Sequence, residues 1–451
     1  MKKLTAASLL ALALALLPAF AEDYLENPIV VTMTSVRQES RTQDLVVDYT
    51  LANHPGIVRM DVLTNGVSIG AEHLATFMGD YSVNEADVVQ PGTHTIRWRA
   101  RKDWRGNLAS NALVRLSAYY TNQIDQIPGV YMRVDLNDGQ SASSYPVAYT
   151  FAGPSTDDDG HANDTADIDR YLWLRRVGSD GPATYTQGTT TYGSLTDNAG
   201  TAETKRQVTL SEGFFAGVFP VTQAQYVRVI AKNSSSQDGG DYAPVNYVSY
   251  EDIRGSVSTD SVDWPSTGHD KVGASSFLYA LRSRTGLEFD LPTEAQWEFL
   301  CRAGTDTDFN DGSNLSLTNY YIGTTLVQNT QYDEHLAELG WFGNSTAVGT
   351  GNATGVKQVG QKNPNAWGLY DCHGNVWERC LDWSANLTTS SATDPEGASS
   401  GSARVIRGGC WDSPARDCRS ALRDSQVPTA RSRSVGFRPA DQIKAWIEEN
   451  L

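Results

Sequence analysis

Histidine is scarce in this chain: seven occur in 451 residues, scattered singly. Lone histidines of this kind serve mostly in packing or at the surface. No C-x-x-C pair occurs, and no His falls at zinc spacing from a Cys, which excludes the usual zinc sites. Positive charge is also in short supply. Thirty-six Lys and Arg stand against 53 Asp and Glu, a formal charge of -17, so general binding to nucleic acid is not expected. After an N-terminal apolar run no second long hydrophobic stretch follows, so no membrane span is expected either. Cysteine is sparse and confined to the last third, at Cys301, Cys372, Cys380, Cys410 and Cys418. Five is odd, so at least one thiol stays free or pairs between chains.

What is present reads as a globular chain, 40% hydrophobic and 20% charged, too long for one ordinary core. Lys2 and Lys3 precede the apolar run Leu4 to Phe20, and Ala19-Phe20-Ala21 forms an A-x-A cleavage site. Residues 1–21 therefore read as a signal peptide, with Glu22 the first mature residue. The expected protein is exported, either periplasmic or secreted, into a space that permits disulfides.

Residues 22–127 carry short β-rich runs bounded by polar turns, such as Leu45 to Leu51, Val58 to Leu63 and the alternating Thr93 to Ala100. They predict an all-β sandwich of immunoglobulin or fibronectin type. Residues 128–166 read as a connecting region. Its Asp157-Asp158-Asp159-Gly160 run fails the EF-hand template, because Ser155 and Ala166 stand where acids belong, and reads as a solvated acidic linker. Residues 167–440 form one large loop-rich unit. Capping boxes at Thr222 to Gln225 and Thr293 to Gln296 start two helices, Ser275 to Arg284 is a third, and Gly304 can end the second. Residues 441–451 read as an amphipathic tail with Ile443, Trp446 and Ile447 on one face.

Four segments in register carry a family resemblance. They are Leu291 to Phe299 (LPTEAQWEF), Gly368 to Glu378 (GLYDCHGNVWE), Arg404 to Trp411 (RVIRGGCW) and Gly436-Phe437-Arg438. The chain from about Tyr171 to Ala440 resembles the sulfatase-modifying-factor family, whose founding member is the formylglycine-generating enzyme. The resemblance implies a multidomain protein whose C-terminal domain has the loop-rich α+β variant of the C-type lectin fold. It also implies a calcium site at Asp371, Gly374, Val376 and Glu378, through two side chains and two carbonyls. The alternative is that Asp371 caps a turn and Glu378 pairs with an arginine such as Arg379 or Arg407.

The family's active members oxidise a cysteine of a client sulfatase with copper(I) held by two cysteines. Here the corresponding positions read Cys410, Ser413 and Cys418, so the pair is incomplete. A soft ion wants two thiolates, and Ser413 offers a hydroxyl. Three readings follow. Cys410 and Cys418 can form a shifted copper pair in an active oxidase. Cys418 can be structural, in a Cys301–Cys418 disulfide accompanied by Cys372–Cys410. The loops between Trp411 and Ser434 can form a ligand-binding face, with Trp411, Ser413, Arg416, Arg419 and Arg423, for a protein or glycan partner. The second and third readings are compatible, and they make the chain a catalytically degenerate, exported recognition or structural module.

Overall fold

The structure is a computed structural model that describes residues 29–442 apart from short internal stretches, the longest being 104–111, 121–129, 189–202 and 344–352. The expected signal peptide and the tail from residue 443 onward lie outside the described residues, as do Asp157 to Asp159 and Asp164 of the acidic run. The chain divides into two units, residues 1–127 with 444–451, and residues 128–443. The described residues are mostly β with few helices, and none of their helices is long and apolar enough to cross a membrane.

In the first unit the β-branched runs become β1 (Val30–Gln38), β2 (Leu45–Ala52), β3 (Ile57–Thr64), β4 (Val67–Ser68), β5 (Phe77–Gly79), β6 (Gly92–Trp98) and β7 (Ala112–Tyr119). They make two antiparallel sheets, β1-β2-β6-β5 and β4-β3-β7. Alternation sends Val47, Tyr49 and Leu51 of β2 and Ile96 and Trp98 of β6 to one face. There they share an apolar cluster with Val58, Met60 and Val62 of β3.

The second unit is built on a six-stranded sheet ordered β14-β22-β13-β10-β8-β9. Its strands are β8 (Tyr131–Asp135), β9 (Val147–Thr150), β10 (Tyr171–Val177), β13 (Phe214–Gly217), β14 (Phe289–Asp290) and β22 (Ala440–Gln442). Two expectations fail here. Residues 128–166 are not a mere connector, because β8 and β9 belong to the sheet. Asp441 and Gln442 are not tail but strand, paired to Phe215 and Phe214. Acidic Asp169, at the end of the expected linker, is paired with Arg228 at 2.8 Å. Beside this sheet stand a three-stranded sheet of β11 (Ala183–Gln187), β12 (Arg206–Leu210) and β18 (Ala392–Thr393), and a hairpin of β15 (Thr318–Ile322) and β16 (Thr325–Asn329).

Helices are short and capped by side chains. They include α1 (Gln223–Ile230) after Thr222, α2 (Tyr250–Arg254) after Ser249, α3 (Phe277–Thr285) after Ser276, α4 (Glu294–Arg302) after Thr293 and α5 (Glu334–Leu339) after Asp333. The boxes at Thr222 and Thr293 are both formed, each hydroxyl accepting from the amide of the Gln three residues on and each Gln side chain reaching back. Helix α4 is closed by Ala303 at φ 45°, one residue before the Gly304 expected from the sequence. The last sheet, β20-β19-β17-β21, holds β17 (Trp377–Trp383), β19 (Arg404–Arg407), β20 (Arg423–Gln426) and β21 (Val435–Gly436). Three of the four motif segments contribute strands to it.

Candidate functional site: a buried ionic frame and the loops it carries

Every residue of α4 is buried, including Glu294, Glu298 and Arg302. Charges survive such burial only when paired, and the motif arginines supply the partners. Glu294 is gripped by Arg423, with Nη2 at 2.7 Å from Oε2. Glu298 takes Arg302 at 2.8 and 2.9 Å and a further bond from Arg407. Against the cost of burial, Arg423 holds the Glu294 carboxyl below its ordinary range. Glu378 of β17 accepts two bonds of 2.7 Å from Arg438 and one of 2.7 Å from the Trp297 indole. Arg438 also donates to the carbonyls of Gly217 and Tyr370. The quoted motifs thus meet as one ionic frame.

Asp382 lies on the edge of this frame and accepts from the Glu294 amide at 2.7 Å. Burial first, and then the nearby Glu294 charge, push its carboxyl up to about 7.

The candidate calcium residues lie on the Asp371 turn and the start of β17, and both of their carboxylates are engaged. Asp371, at φ 55°, accepts from the Gly360 amide at 2.7 Å and from Asn375 Nδ2 at 3.1 Å. Burial lifts its carboxyl to about 6. Glu378 is neutralised by Arg438, not by the Arg379 or Arg407 considered above. Val376 is buried among Trp377, Trp411 and Ile406. Gly374, at φ 82°, is required by close packing: a Cβ there would sit 2.2 Å from the Trp341 carbonyl oxygen. A dication beside Arg438 would meet like charge. The two carboxylates that the resemblance implies as ligands are thus both engaged by protein donors, which does not suit calcium.

The cysteines correct the sequence reading as well. All five are buried and free, so neither Cys301–Cys418 nor Cys372–Cys410 is formed. The apolar interior keeps these partners apart: Cys301 and Cys372 share one cluster, Cys410 lies in a second, and Cys418 in a third with Phe309, Leu336 and Phe342. The shifted copper pair is brought close, since a Cβ on Gly409, the neighbour of Cys410, would sit 2.5 Å from Cys418 Sγ. It does not fit copper(I), which needs accessible thiolates. Cys410 is bonded to the Ser413 hydroxyl at 3.2 Å, and burial pushes both thiols up, Cys418 the further.

The expected ligand face is mostly interior. Arg419 is fully buried in a bidentate pair with Glu203 at 2.7 and 2.8 Å, and Arg423 serves Glu294. Ser413 and Trp411 are buried, which leaves Arg416, 42% exposed at its side chain and 3.2 Å from Asp417. The exposed groups lie further along. Arg433 stands 5.1 Å over the Trp411 ring and 3.3 Å from Asp412. Arg431 pairs with Asp252 at 2.6 Å, and Val427 and Tyr247 are exposed. Tyr247 holds φ 61°, an uncommon position for an aromatic residue, with its amide bonded to the Ser432 carbonyl. The sequence signal for this surface is the Thr429 to Ser434 run, TARSRS, with its two arginines two apart.

With this geometry in view, comparison with known proteins is informative. A formylglycine-generating enzyme of Thermomonospora curvata is 36% identical over 160 residues, covering 33% of this chain and 48% of the relative. A serine/threonine-protein kinase pkn1 of Chlamydia pneumoniae is 29% identical over 238 residues, covering 51% of this chain and 33% of that protein. The chain thus spans about half the length of the formylglycine-generating enzymes it matches. Among solved structures, Treponema denticola variable protein 1 has a TM-score of 0.45 and 24% identity, covering 60% of this chain and 95% of its own. The family model of the sulfatase-modifying factor enzyme 1-like domain matches residues 180–443. The chain belongs to that family.

Proposed function

We propose that the chain is an exported, non-catalytic recognition module, which binds a protein or glycan partner through the loops around Tyr247, Asp412, Arg431 and Arg433. What supports the reading is the state of the two candidate thiols. Cys410 and Cys418 are both buried and held protonated, with Ser413 where a second soft ligand would be needed. An ionic frame in which Glu294, Glu298 and Glu378 are all paired supplies rigidity. The seven-stranded first unit is read as an immunoglobulin- or fibronectin-like spacer, from two sheets around one apolar core.

The competing reading is a copper-dependent oxidase acting on a sulfatase client, favoured by similarity to proteins named formylglycine-generating enzyme. One experiment separates the two. The reduced protein is titrated with copper(I), then incubated with a Cys-x-Pro-x-Arg peptide and oxygen, and the peptide mass is followed. No conversion is expected. Conversion that disappears in Cys418→Ala would move the chain back among the oxidases.

A further inference from the structure

We propose that Cys301 and Cys372 are joined as a disulfide when the chain folds in an oxidising compartment. The two positions lie 71 residues apart, on the last turn of α4 and in the Asp371 turn. Cys301 Sγ points at the Cys372 carbonyl oxygen at 3.9 Å, while the Cys372 thiol lies against the Tyr370 carbonyl at 3.8 Å. Both side chains are buried in the same apolar cluster, which fixes their mutual approach. Each remaining thiol is directed elsewhere. Cys380 Sγ turns to the Glu378 carbonyl, Cys410 to Ser413, and Cys418 lies in the separate cluster of Phe309, Leu336 and Phe342.

The surroundings also suit the chemistry. Arg438 faces Cys372 and favours its thiolate, while His373 Nε2 lies 3.9 Å from Cys301 Sγ. His373 is fixed as the Nδ1–H tautomer, because Nδ1 donates to the Cys418 carbonyl at 2.7 Å and Nε2 accepts from the Asn310 amide at 3.2 Å. In the finished core the neighbouring Cys301 and burial hold the Cys372 thiol well up, so the bond forms while the core is still wet. The oxidant is a small-molecule disulfide such as oxidised glutathione. One protein thiolate attacks it, forming a mixed disulfide and releasing one glutathione. The second thiolate then displaces the other glutathione, and the two protons end on the two released thiols.

The test uses the full chain. Reduced, unfolded protein is refolded with a glutathione redox couple, alkylated, digested without reductant and mapped by mass spectrometry. A linked peptide pair containing Cys301 and Cys372 is expected in most molecules. Cys301 linked to any other cysteine, or Cys301 and Cys372 both alkylated, overturns the proposal. A second measurement is the melting temperature with and without reductant. The oxidised wild type should lose about 5 °C or more on reduction, whereas Cys372→Ser should melt alike in both. An equal loss in the variant would also overturn it.

Discussion

Removing Arg438 is the sharpest test of the ionic frame. Arg438→Met keeps much of the side-chain volume but leaves Glu378, 1% exposed, with the Trp297 indole as its remaining side-chain donor. It also strips a donor from the Gly217 and Tyr370 carbonyls. Breaking a buried pair by deleting one partner costs about 3–5 kcal/mol. For a unit of this size that corresponds to a fall in melting temperature of roughly 10 °C. Glu378→Gln in the same background removes the stranded charge, so the double variant should recover part of the loss. The assay is urea unfolding of wild type, both single variants and the double, by tryptophan fluorescence. Arg438→Met within about 1 kcal/mol of wild type, or a double variant whose loss is the plain sum of the singles, would refute the frame as the second unit's fastener.

Three further outcomes are expected. Stability should fall as pH rises from about 4 to 7, because the Asp382 and Asp371 carboxyls, lifted to about 7 and about 6, bind protons in the folded state that the unfolded chain has released. Urea midpoints at stepped pH check this, and Asp382→Asn should flatten the slope. Gly374→Ala should cost at least about 2 kcal/mol, since the methyl meets the Trp341 carbonyl at 2.2 Å on a backbone at φ 82°; thermal melts read it directly. Chelator and excess calcium should leave the second unit's melting temperature unchanged, because Asp371 and Glu378 are already engaged; a clear rise with calcium would restore the calcium reading.

How much of this was legible in the residues depends on the range of the force involved. Caps are local, so Thr222 and Thr293 announced their helices within four residues. The strands of the first unit were equally readable from alternation. Motif order alone marked the family segment. Pairing across long separations was not legible. Nothing near Glu378 in sequence names Arg438, 60 residues on, as its partner in place of Arg379 or Arg407. Arg419 and Arg423 looked like a binding face because arginine is usually outside, and only the depth of Glu203 and Glu294 reverses that. The strands at 131–135 and 147–150 were hidden for a related reason, since β8 joins the sheet only through β10, beyond a turn-rich stretch, and β9 only through β8.

The six-stranded sheet has a consequence for how the chain comes together during synthesis. Strand β22 lies between β13 and β14, so two early strands are held apart until a late one arrives. Arg438 closes the same gap, reaching back 221 residues to Gly217. During synthesis the facing edges of β13 and β14 therefore stay open until residues 440–442 emerge, and Glu378 waits a further 60 residues for Arg438. Contacts of such long sequence separation are the slowest kind to form.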